Sequence, residues 1–189
     1  SNIVLLGPPG SGKGTQAKLI AAAHGVAHVA TGDILRAAIA DGTELGLRVK
    51  PILDRGDLVP DDLMVDLIRE RLGPLDGFVL DGFPRTLAQA EALDEMLESI
   101  GKPLDAVLLL RVSDTVAIER MHARAEVEGR TDDSPEVIEN RVRLYNELTV
   151  PVVDHYRAAG IVRPVDGERP VEEVFEEIEA ALSEAGART

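Results

Sequence analysis

The stretch "NIVLLGPPGSGKGTQAKLI", residues 2–20, leaves few ways to fold. An apolar run over 2–6 reads as a strand. Gly7, Gly10, Gly12 and Gly14 follow it, and a helical pattern over 13–24 opens on Lys13. Glycines at that density let a backbone wrap close to an anion and offer it N–H groups. A helix N-terminus directly behind such a loop favours negative charge. Strand, glycine loop, Lys and helix in this order form a cradle for nucleotide phosphates, with Lys13 reaching the outer ones. The pattern G-x-x-x-x-G-K-[ST] fails only at its last place, where Gly14 replaces the hydroxyl that usually ligates magnesium. Thr15 comes next and can donate to a phosphate oxygen. The metal must then be held mainly by phosphates and water, with an acidic residue fixing those waters. Asp81 ends the apolar run 78–81, and open α/β sheets bind ligands at that edge.

Four further apolar runs, 26–30, 78–81, 106–112 and 161–166, resemble the first. Most lack alternation, as strands buried on both faces should. Helical patterns cover 62–72, 86–98, 114–124, 134–158 and 170–184. Pro135 suits a first helical turn, whereas Pro151 is expected to bend or break the long pattern. Strands alternating with helices predict an open, mostly parallel α/β sheet with helices against it. Residues 31–60 read as an all-helical insertion after the second strand, and 125–131 as a short charged connection between helices. A chain of 189 residues suits a single domain with small excursions.

The net charge of −14 repels nucleic acid and membrane surfaces, and an anionic surface favours a monomer. There is no signal-peptide pattern ahead of the first strand and no apolar stretch near the roughly 18 residues of a membrane span. A soluble cytoplasmic protein is the expectation. With no Cys among the 189 residues, disulfides, Cys-ligated zinc and thiol nucleophiles are excluded.

The same charge would repel a phosphate ester, so a nucleotide site needs local positive charge. Arginine supplies it. Arg36 lies in TGDILR just after the second strand, and Arg85 in DGFPR four residues beyond Asp81. Arg120 and Arg124 stand one turn apart, Arg130 precedes Asp132 and Asp133, and Arg141 falls about two turns into the long helix. Their planar forks pair with phosphate in bidentate fashion. So many arginines beside loops and element ends exceed what simple hydrolysis needs. They fit a site that aligns two phosphorylated substrates for in-line transfer.

The motifs GPPGSGKGTQ (7–16), TGDILR (31–36), LDGFPRT (80–86) with Gln89, GRTDD (129–133) with Arg141, and DGERPVEEV (166–174) together resemble a nucleoside monophosphate kinase. Most closely they are similar to the bacterial, short-lid branch of the adenylate kinase family. The resemblance runs over essentially the whole chain. It implies a P-loop three-layer fold with a five-stranded parallel sheet. Two mobile parts would be carried on that core: a monophosphate-binding insertion (31–60) and a short lid (121–133). It also implies reversible transfer between ATP, bound with Mg²⁺, and AMP, giving two ADP. Gly10, Ser11, Gly12, Lys13, Gly14 and Thr15 would hold the ATP phosphates, and Arg120 would pack on the ATP adenine beside the backbone of Arg169. Arg124, Arg130 and Arg141 would close over the phosphates, supported by Asp132 and Asp133. Thr31, Gly32, Arg36, Gly82, Arg85 and Arg141 would bind AMP, with Val59 and Met64 lining its base pocket and Gln89 reading the base. Lys13, Arg85, Arg124, Arg130 and Arg141 would carry catalysis, with Asp81 holding the metal through water. Family members also carry Gly after the loop Lys. The lid here is too short for a β-rich lid and, without Cys, has no Cys₄ zinc site.

Uridylate/cytidylate kinases share the loop, the arginines and a short lid. Their counterparts of TGD and Gln89 tend to be AGD and Asn, so Thr31 and Gln89 stand on the adenylate side. A P-loop GTPase would need an NKxD guanine motif, which the sequence lacks. A binding module without turnover would have little use for Arg36 and Arg85 alongside Arg124 and Arg141.

Overall fold

The computed structural model describes residues 1–128 and 134–187. Its strands are β1 (Asn2–Leu6), β2 (Ala27–Ala30), β3 (Phe78–Asp81), β4 (Ala106–Arg111) and β5 (Val162–Asp166). They form one parallel sheet in the order β2-β3-β1-β4-β5. Its helices are α1 (Lys13–His24), α2 (Thr31–Asp41), α3 (Glu44–Asp54), α4 (Asp61–Leu72), α5 (Leu87–Ser99), α6 (Asp114–Glu128), α7 (Pro135–Ala158) and α8 (Val171–Ala187).

Successive side chains of a strand point to opposite faces, and both faces here are covered. Val4, Leu6, Val29, Leu80 and Val107 face a layer built from α4, α5 and α7, including Leu67, Leu93, Leu97 and Tyr156. Ile3, Leu5, Val79, Leu108 and Val165 face α1 and α8 through Ala17, Ile20, Val174 and Ile178. Burying each large aliphatic side chain is worth about 1.5–3 kcal/mol. The P-loop three-layer α/β fold expected from the sequence is the observed one. Its register matters for function: Leu5 and Ala30 both lie opposite Asp81, so β1, β2 and β3 end at one edge.

Two expectations about helix extent are corrected. Helix α7 does not break at Pro151 but runs through it. Proline removes one helical hydrogen bond and crowds the preceding turn, at about 3 kcal/mol. Val152, Val153 and Tyr156, all buried just beyond it, anchor the continuing helix in the core and offset that cost. Helix α6 reaches Glu128, so the first part of the expected 125–131 connection is helical. Ala125 and Glu126 are good helix formers, and Ala125 is buried. The rest of that connection, 129–131, lies outside the described residues.

Within 31–60 the chain forms two helices, α2 and α3, that meet closely, whereas 55–60 is turn and coil, not the helix expected throughout. Thr43 caps α3 by accepting from the Gly46 backbone N–H at 3.0 Å. A Cβ on Gly46 would run into the Ala38 carbonyl, so only glycine lets α3 lie against α2 there.

Helices α5 and α7 are tied by a polar cluster. Asp94 accepts the Tyr156 hydroxyl at 3.1 Å and contacts His155 Nε2 at 2.6 Å. Burial, then the Asp94 charge and hydrogen bond, push the Tyr156 phenol well above its ordinary range. Burial also raises Tyr145 to about 12, against a smaller opposing effect from Thr149. In the unfolded chain both would ionise near 10. Their contribution is therefore whole below about pH 10. It is lost as pH rises from there through the folded-state values, because only the unfolded chain then releases the protons. Urea unfolding between pH 8 and 12 should show stability falling above pH 10, with Tyr156→Phe giving a shallower decline.

Candidate active site

The loop after β1 is shaped by glycine where nothing else fits. Gly10 and Gly12 have φ of 81° and 86°, in the left-handed region. A Cβ on Gly10 would also strike the Ala117 carbonyl, so the loop lies directly against α6. The Ser11 N–H donates to Pro8 O at 3.1 Å, and the Ser11 hydroxyl is buried with no protein partner among the described residues. A Cβ on Gly14 would meet nothing within 4 Å. The missing hydroxyl there is therefore a chemical choice, not a steric one.

This loop floors a cavity of about 650 Å³. Asp81, Gly82 and Arg85 border it on the β3 side, Arg120 and Arg124 on α6, and Arg141 on α7. Among the described residues, five cationic side chains (Lys13, Arg85, Arg120, Arg124 and Arg141) and one carboxylate (Asp81) line it. In a chain of net charge −14, that is a local reversal of field able to attract polyphosphate.

Lys13 Nζ lies 3.5 Å from Asp81 Oδ1. The other carboxylate oxygen, Oδ2, is 3.6 Å from His28 Nε2. Arg120 is held between two backbone carbonyls, Gly167 O at 3.0 Å and Gly10 O at 3.4 Å. It thus bridges the glycine loop and the turn after β5. Arg85 Nε donates to Gly82 O at 3.0 Å, and Gly82 itself needs its φ of 92°. Thr31 packs against Gly82, its Oγ1 3.0 Å from where a Cβ would stand.

Other expected residues lie away from this cavity. Arg36 is exposed and paired with Asp33. Gln89 sits at the start of α5, its amide engaged with Asp61 and the Arg85 backbone. Val59 is half-buried and packed on the core, and Met64 is buried within it at 7% exposure. Arg169 is exposed and pairs with Asp166 at 3.4 Å. The structure does not bring these five side chains into the cavity. Arg130, Asp132 and Asp133 lie outside the described residues.

The sequence reading missed His28, Asp61 and the wall that α7 contributes through Leu144, Tyr145 and Leu148. His28 had a signal: it is an ionisable residue inside an apolar strand run, and in register it pairs with Val79, two residues before Asp81. Asp61 had none, because its partner is 28 residues away.

A magnesium ion carried on a nucleotide fits these residues. Mg²⁺ keeps several waters and typically takes one or two carboxylates plus phosphate oxygens. Asp81 offers one carboxylate at the cavity wall, and the described residues contain no cluster of three or more acidic or His side chains to hold an ion alone.

The adenylate kinase family model matches residues 5–161. The chain belongs to the adenylate kinase family. It is 49% identical over 183 residues to the adenylate kinase of Xanthomonas euvesicatoria pv. vesicatoria, covering 95% of this chain and 98% of that relative. The Stenotrophomonas maltophilia adenylate kinase is equally similar, with the same coverage of each chain. The Thermus thermophilus enzyme is 50% identical over 180 residues, 95% of this chain and 96% of its own. The chain is accordingly a nucleotide-binding phosphotransferase of this family. None of the described helices is long and apolar enough to cross a membrane.

Proposed function

We propose that the chain moves the terminal phosphoryl group of MgATP to AMP, reversibly, giving two ADP. One observation carries this reading. The glycine loop with Lys13 shares a single cavity with a second set of cationic groups, Arg85 after β3, Arg124 on α6 and Arg141 on α7. A hydrolase needs one such set; a transferase between two nucleotides needs two.

In this reading the loop from Gly10 to Thr15, with Lys13, holds the ATP phosphates. Arg120, already fixed by two carbonyls, offers its guanidinium plane to the ATP adenine, with the backbone of Arg169 on the other side. Thr31, Gly32, Arg36, Gly82 and Arg85 take the AMP phosphate and sugar, and Val59, Met64 and Gln89 its base. Arg85, Arg124, Arg130 and Arg141 neutralise the transferring group, with Asp132 and Asp133 supporting the closed lid. Little covalent help is needed for phosphoryl transfer, so alignment and charge carry the rate. Asp81 holds the waters of the metal, which when bound neutralises phosphate charge. Residues 31–60 and 121–133 act as the parts that close, keeping water from the phosphoryl group. The enzyme acts as a cytoplasmic monomer, with no nucleic-acid or membrane partner.

A coupled assay with MgATP against AMP, UMP, CMP and GMP tests the reading. AMP should be used with the highest kcat/KM by at least tenfold. Faster turnover of UMP or CMP would overturn the assignment of acceptor.

A further inference from the structure

The side-chain amide of Gln89 is gripped at both ends. Its Oε1 accepts the Arg85 backbone N–H at 2.8 Å, and its Nε2 donates to Asp61 Oδ1 at 2.9 Å. Neither partner can exchange roles. A backbone N–H only donates, and an ionised carboxylate only accepts. Turning the amide over would set NH₂ against N–H and carbonyl against carboxylate. The polarity of the amide is thus settled by the protein before any base arrives.

Part of this arrangement has a local purpose. Thr86 caps α5, its hydroxyl accepting the Gln89 backbone N–H at 3.2 Å, and Gln89 reaches back past the cap. This is close to a capping box, in which the N-cap hydroxyl and the third helical side chain satisfy backbone donors reciprocally. Capping uses only Oε1. It gives no reason for the Nε2–Asp61 bond, which joins the first turn of α5 to the first turn of α4. Asp61 is exposed, so the bond is not needed to rescue a buried charge either.

An amide oxygen accepts twice and an amide nitrogen donates twice. With one of each in use, Gln89 keeps one acceptor and one donor for a ligand. Adenine offers an amino donor beside a ring acceptor on its Watson–Crick edge, which matches that polarity. Guanine and hypoxanthine offer a carbonyl acceptor beside a ring N–H donor, the reverse pattern. Reading them would require the amide to flip against both of its partners.

We propose that Asp61 is a specificity-determining positioning residue: by fixing the polarity of the Gln89 amide, it selects a 6-amino purine as acceptor base over a 6-oxo purine. The inference rests on the proposed role of Gln89 in reading that base. Sites built to pair with particular donors and acceptors discriminate strongly, since the wrong ligand leaves polar groups unpaired.

The test compares AMP with IMP, which reverses the edge polarity without adding the 2-amino group of guanine. The replacement Asp61→Asn keeps the shape but can donate or accept, so it lifts the Asp61 side of the constraint and leaves only the Arg85 N–H to oppose a flipped amide. The AMP:IMP ratio of kcat/KM should fall at least tenfold in Asp61→Asn, through a gain in IMP use. The Asp61→Ala variant should relax the ratio as well, and Asp61→Glu should restore part of it. A general structural loss lowers both acceptors together and leaves the ratio where it was, and a ratio in Asp61→Asn within twofold of the parent's overturns the inference. A parent chain that does not phosphorylate AMP overturns the function and this inference together. An active parent with an unmoved ratio overturns only the role of Asp61.

Discussion

Replacing Lys13 by alanine is expected to lower kcat/KM for MgATP about a thousandfold, equivalent to roughly 4 kcal/mol of transition-state stabilisation. Two losses combine. The first is the point charge that, in the proposed function, meets the outer phosphates, at the start of α1 behind the glycine loop. The second is indirect. Lys13 stands 3.5 Å from Asp81, so without it the carboxylate faces the incoming phosphates with less positive charge beside it. The pair is partly exposed, so little folding stability should go with it. Steady-state kinetics alongside thermal unfolding checks both halves: a loss of less than tenfold, or a loss explained by unfolding, contradicts the role. Arginine should not restore activity, because its planar fork does not reproduce a compact ammonium.

Arg85→Ala should separate the two substrates. We expect kcat/KM for AMP to fall by at least a hundredfold while the dissociation constant for MgATP moves less than threefold. The side chain is exposed and donates to Gly82 O, so its removal should not disturb the core. Its backbone N–H, which holds Gln89, survives the substitution. Base preference among the weakly used acceptors should therefore persist even as AMP turnover collapses. Equal weakening of ATP and AMP would remove the acceptor role from Arg85.

What the sequence made legible was mostly local. Helix α1 runs from Lys13 to His24, as the pattern predicts, because the glycine loop frees its start and Gly25 ends it in the left-handed conformation. Strands β1, β3 and β4 were readable because they are buried on both faces, which leaves them apolar at nearly every position. The passage of α7 through Pro151 was not readable, since it depends on what Val152 and Tyr156 find in the core. Nor was the length of α6, where Ala125 packs at the cavity wall. In the site, the loop, Asp81 and the arginines announce themselves by residue type and placement. His28 beside Asp81 and Asp61 beside Gln89 depend on neighbouring strands and helices, and polarity at a single position does not reveal a partner.

The position of β1 in the sheet bears on how the molecule is made. Asn2 pairs with Phe78 on one side, and Ile3 with Ala106 on the other. A ribosome therefore delivers the central strand long before either neighbour exists to receive it. Helix α1 needs only contacts a few residues apart, whereas parallel pairing over such separations must first close large loops, and chains dominated by distant contacts fold slowly. The glycine loop hangs between these two regimes, with one end on an early helix and the other on a strand that must wait. Competence to hold a phosphate is in this way a late acquisition, reached only when β3 and β4 have closed around β1 and α6 has come to rest against Gly10.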